Sequence, residues 1–82
     1  MLTITVYETI PTGRKAAIGQ FRWQDGRIET IGNIGWLEEQ LKSGKLKVII
    51  GDRIYKWEEG EQFLRALPYA LHGLYLWAEL AE

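Results

Sequence analysis

The stretch RALPYALHGLYLWAEL, residues 65–80, decides the fold. At helical spacing, Leu64, Leu67, Leu71, Leu74, Ala78 and Ala81 recur as one long amphipathic helix requires. Against that, Pro68 lacks the N–H for the helical ladder and His72-Gly73 reads as a helix stop. Beyond Gly73, Leu74, Leu76, Ala78 and Leu80 alternate with Tyr75, Trp77 and Glu79 at the period of two that marks a strand. Tyr, Leu and Trp suit either state, so periodicity alone leaves both open. Proline and glycine turn the expectation towards a helix kinked or restarted at Pro68 and ending by Gly73, then a terminal strand over 74–80. His72, the only histidine, becomes a helix-end residue that can meet the last carbonyls.

A bilayer span needs about 20 mostly apolar residues. The run over 66–78 is shorter, contains His72 and is flanked by Arg65 and Glu79, so no membrane anchor is expected.

Upstream, EEGEQFLRAL starts the second helix, with Glu58, Glu59 and Glu61 in or before its first turn, where carboxylates favour the helix dipole. That accounts for an acidic cluster that three metal ligands could otherwise explain. Before it, LKVIIGDRIYKWE reads as a hairpin turning at Gly51-Asp52. Its expected pairs are Ile50 with Arg53, Ile49 with Ile54, Val48 with Tyr55, Lys47 with Lys56 and Leu46 with Trp57. Leu46, Val48, Tyr55 and Trp57 form a core face, and the opposite face sets two lysines across from each other. GNIGWLEEQLKSG is a short helix with Asn33 as N-cap, Ile34, Leu37 and Leu41 as its apolar stripe, and Ser43-Gly44 as its end.

The N-terminal part is all strand. Leu2, Ile4 and Val6 alternate with Thr3, Thr5 and Tyr7, TIPTGRK breaks the pattern, and a second strand follows near 16–24. Asp25-Gly26 is a strong two-residue hairpin signal. It sets Gln24 against Arg27, Trp23 against Ile28, Arg22 against Glu29 and Phe21 against Thr30, with one face largely apolar and the other charged. The expected fold is therefore α+β: one small domain over 1–82, about six antiparallel strands and two short helices, in the order β-β-β-α-β-β-α-β.

Composition narrows the function. With 82 residues, 46% hydrophobic, 26% charged and no cysteine, the chain excludes disulfides, thiol nucleophiles and the usual zinc frameworks. One histidine and one serine cannot assemble a hydrolase triad or anchor a zinc site, and no phosphate-loop or dinucleotide fingerprint occurs. No catalytic residue, cofactor or metal is expected. MLTITVYE has no basic stretch leading an apolar one, so no secretory signal is expected and a cytoplasmic location is.

Net charge is −1, unevenly placed: residues 42–56 carry five cations against Asp52, and residues 57–82 carry Arg65 against five carboxylates. Arg14, Lys15, Lys45, Lys47 and Lys56 are the candidate anion or nucleic-acid contacts. A slightly acidic domain makes nucleic acid the alternative partner. Four tryptophans are many for this length. Trp23 and Trp57 are core by register, whereas Trp36 and Trp77, with Tyr75, are the candidate protein interface.

The segment FLRALPYALHGLYLWAEL resembles the C-terminal signature of short uncharacterised bacterial proteins, F-L-x-A-L-P followed by G-x-Y-L-x-A, with a similar ITVYE strand and GRKAAIG start to the hairpin. The resemblance implies a recurring fold and no established activity. The position of Trp77 is more often basic in those proteins, so no anion-binding role carries over to it. The expected function is a small non-enzymatic protein–protein interaction or regulatory module, as a homodimer or, by analogy, a phage or mobile-element accessory protein.

Overall fold

The Asp25-Gly26 turn organises the sheet. Both residues have positive φ, 54° and 75°, as a type I′ turn requires. All four expected pairs from Gln24↔Arg27 to Phe21↔Thr30 are present. A computed structural model, describing residues 1–71 and 75–81, gives the elements β1 (Leu2–Thr9), β2 (Lys15–Gln24), β3 (Arg27–Gly32), α1 (Gly35–Ser43), β4 (Val48–Ile50), β5 (Arg53–Tyr55), a 3-10 turn (Trp57–Glu59), α2 (Glu61–Ala70) and β6 (Leu76–Ala81). The fold is α+β in the expected order. His72, Gly73 and Leu74, which carried the expected helix stop and strand start, lie outside the described residues.

The described part of residues 65–80 is helix up to Ala70 and strand from Leu76. α2 runs through Pro68 for two further residues instead of restarting there, and the Leu71 N–H closes onto the Leu67 carbonyl at 2.8 Å. A proline this close to the end removes one ladder bond without breaking the helix above it. β6 then pairs antiparallel with β1, which makes the first and last strands neighbours in a four-stranded sheet ordered β3-β2-β1-β6. The register sets Val6 beside Ala78 and Tyr7 beside Trp77.

One sheet face carries Leu2, Ile4, Val6, Phe21 and Ala78. These are buried against Ile34, Leu37 and Leu41 around α1 and Phe63, Leu64 and Leu67 of α2. None of the residues Thr3, Thr5, Tyr7, Gln20, Arg22, Trp77 and Glu79, on the opposite face, is buried.

Two local expectations are corrected. The second hairpin keeps its three inner pairs, but the ladder stops at Val48 and Tyr55, so Lys47–Lys56 and Leu46–Trp57 do not pair. Their backbone groups are used elsewhere: the Leu46 N–H donates to the Gln40 carbonyl at 3.0 Å, and the Lys56 N–H to the Glu59 carboxylate at 2.8 Å, capping the 3-10 turn. Trp57 leaves the strand in that turn and meets Phe21 edge-on, with centroids 5.8 Å apart. Asn33 is not the cap of α1. Ile34 occupies that place without a side-chain cap bond, and its carbonyl accepts the Leu37 and Glu38 N–H groups.

Candidate functional site

Two glycines bring α1 down onto the sheet. A Cβ on Gly32 would lie 2.8 Å from the Gly19 Cα, and one on Gly19 would lie 2.7 Å from Ile34 Cγ1. Ile34 therefore seats on the bare Gly19 backbone, and the Asn33 N–H donates to the Ile18 carbonyl at 3.3 Å. Ile18 is the extra residue where the β1–β2 register shifts, between Val6↔Gly19 and Tyr7↔Ala17. With the start of α1 held this way, the Trp36 indole N–H donates to the Asn33 carbonyl at 3.0 Å, and the ring stands 52% exposed.

Tyr75 approaches from the other side. Its carbonyl accepts the Thr9 N–H at 2.9 Å, which fixes the backbone just before β6 and leaves the side chain 75% exposed. Between Trp36 and Tyr75 lies a groove of about 730 Å³, lined also by Glu8, Ala17, Ile18, Asn33 and Leu76. Glu8 and Leu76 are register partners. They share the strand parity of Val6 and Ala78, so the groove continues the helix-bearing face beyond the buried core. Among the described residues it offers two aromatic rings, an apolar floor and a single charged residue, Glu8.

Trp77 belongs elsewhere. On the opposite sheet face, Lys15 Nζ lies 4.8 Å from the Trp77 ring centroid and 5.2 Å from that of Tyr7, and it pairs with Glu79 across β1. The Trp77 N–H also donates to Glu79 at 2.9 Å. The Lys15 hydrogen bond, opposed in part by desolvation, holds the Glu79 carboxyl below the usual carboxylate range. Of the three aromatic candidates, the structure joins Trp36 with Tyr75 and separates Trp77.

The candidate cations also divide. Arg14 is exposed in the β1–β2 loop, and Lys15 is engaged by Glu79. Lys45 lines a shallow depression with Glu38 and Glu39. Lys47 and Lys56 do converge, with Lys42, on a groove of about 310 Å³ floored by Leu41, Leu46, Tyr55 and Trp57. Lys42 Nζ is 5.8 Å from the Trp57 centroid and 3.5 Å from Glu38. Nearby, Arg53 stacks on Tyr55 at 4.2 Å and pairs with Glu59 at 2.5 Å.

Sequence reasoning missed Glu8, Ile18 and Lys42. Glu8 carried a readable signal: it continues the Leu2, Ile4, Val6 parity and so puts a carboxylate in line with the core face. Ile18 and Lys42 had none, because a register shift and a groove between the end of α1 and the segment after β5 are not local properties. Among the described residues no cluster of three His, Cys, Asp or Glu can hold a metal, and no helix is long and apolar enough to cross a membrane. Compared with protein-family models, with curated proteins and with solved structures, the chain finds no match in any of the three.

Proposed function

We propose that this chain is a protein-recognition module that receives part of a partner polypeptide in the groove between α1 and β6. The observation that carries this reading is the placement of Trp36 and Tyr75. Two large aromatic side chains, 52% and 75% exposed, come from α1 and from the residue before β6 to line one concavity. Exposed aromatics that flank a concave apolar floor have the features of binding hot spots, since covering them removes large apolar area from water at low entropy cost. Truncating either to alanine is expected to weaken partner binding by about 2 kcal/mol or more, roughly 30-fold.

A photo-crosslinking amino acid at Asn33, exposed in the groove lining, tests this in cells that express the protein. A discrete adduct is expected, and it should vanish in the Trp36→Ala/Tyr75→Ala variant. No adduct from Asn33, or one that survives that variant, overturns the reading. Light scattering of the purified chain determines whether the partner is a second copy.

The convergence of Lys42, Lys47 and Lys56 supports a second reading, contact with nucleic acid. Against it, Trp57 is half-buried between Phe21 and Phe63, so its ring is not free to stack on a base as single-strand binders require. Titration with single- and double-stranded oligonucleotides at low salt tests this reading, which fails without salt-sensitive binding.

A further inference from the structure

We infer that the groove recognises a basic side chain, arginine or lysine, of the partner polypeptide; this rests on the reading of the groove as a protein-recognition site. Among the described residues, Glu8 is the only charged one in the lining, and no lysine or arginine accompanies it. Among the described residues the carboxylates of Glu8, Glu39 and Glu58 have no ion-pair partner, and of these three only Glu8 lines this groove.

An acidic partner residue would meet this charge uncompensated. A wholly apolar residue would strip water from Glu8 and return nothing. A cation pairs with it, and the rest of the lining suits a cation too. Trp36 and Tyr75 line the groove and are 52% and 75% exposed, and the face of such a ring attracts an ammonium or guanidinium through its quadrupole. The Trp36 N–H is already given to the Asn33 carbonyl at 3.0 Å, so its ring contributes its face and not its donor. Ile18 and Leu76 supply apolar surface for the aliphatic stem that both basic side chains carry. Guanidinium is the better fit of the two, because it is planar, weakly hydrated and stacks on aromatic rings.

The test is an NMR titration of the intact chain with three capped tripeptides, Gly-Arg-Gly, Gly-Gln-Gly and Gly-Glu-Gly. The Trp36 indole N–H and the Glu8 amide are the reporters. The arginine peptide is expected to shift both and to saturate, with the glutamine peptide about tenfold weaker and the glutamate peptide weaker still. Glu8→Gln, at an exposed position, should weaken the arginine peptide about tenfold and leave the glutamine peptide unchanged. Equal responses to arginine and glutamine, or an arginine response indifferent to Glu8→Gln, overturn the assignment. Silence towards all three peptides while the Asn33 crosslink persists also overturns it, and leaves the groove reading standing. Silence together with loss of the crosslink overturns both.

Discussion

Gly19→Ala places a single methyl group where the candidate groove is anchored. The new Cβ would lie 2.6 Å from the Ile31 carbonyl oxygen, 2.7 Å from Ile34 Cγ1 and 2.9 Å from Ile34 Cδ1. The first contact is with backbone in β3, and the others are with a side chain that is 0% exposed and has no solvent to move into. Gly19 does not have positive φ, so alanine is free of backbone strain, and strand alanine gains roughly 0.5–1 kcal/mol over glycine. Overpacking a filled core costs about 1–3 kcal/mol, and contacts this short, against backbone, belong at the upper end. The net loss is about 1–2 kcal/mol, which for a domain of this size lowers Tm by roughly 5–15 °C.

Thermal and urea unfolding followed by circular dichroism measure that loss. The Trp36 indole N–H should shift as well, because Ile34 carries the start of α1. Ile34→Ala alone should cost about 2–5 kcal/mol. Combined with Gly19→Ala the two should be less than additive by about 1 kcal/mol, since the methyl group then occupies vacated space. Gly35→Ala is the control: nothing lies within 4 Å of its Cβ, and it is the first residue of α1, so no loss is expected. A Gly19→Ala variant melting within about 2 °C of the parent, or strict additivity with Ile34→Ala, would refute this account of how α1 is seated.

Gly60→Ala should be costlier, by about 2–4 kcal/mol in urea unfolding, because φ is +65° and the added Cβ meets the Trp23 ring at 2.6 Å. The Glu59 carboxyl is held below its ordinary range by the Lys56 N–H, with desolvation opposing and the Arg53 guanidinium assisting. A lowered folded-state value means stability that is present above the unfolded value and lost as pH falls through the folded one. The parent should therefore unfold at higher urea than Glu59→Gln at pH 7, and the gap should close between about pH 5 and pH 2. Tyr75→Ala should leave stability within about 0.5 kcal/mol of the parent by thermal melt, since the side chain is 75% exposed, so its effect on binding can be read without a folding correction.

Legibility in the sequence followed sequence distance. The Asp25-Gly26 register was readable pair by pair, because a type I′ turn sets φ at two adjacent residues and the ladder propagates from it. The inner pairs around Gly51-Asp52 were readable for the same reason. The outer pairs failed where Leu46 and Lys56 found closer partners in Gln40 and Glu59. Asn33 failed as a cap because its N–H and carbonyl are drawn to Ile18 and Trp36 instead.

The sequence by itself determined the order of the elements and their apolar faces, while for residues 65–80 its periodicities left helix and strand both open and Pro68 and Gly73 only turned the expectation. Only the tertiary structure decided that β6 lies beside β1, that Ile34 seats on Gly19, and that Trp36, Tyr75 and Glu8 line one groove while Trp77 turns to Lys15 on the far face. The physical reason is the range of the interactions. Turn geometry, periodicity and capping act over a few residues and are written locally, whereas strand order and the seating of a helix are settled by which distant apolar faces bury one another best.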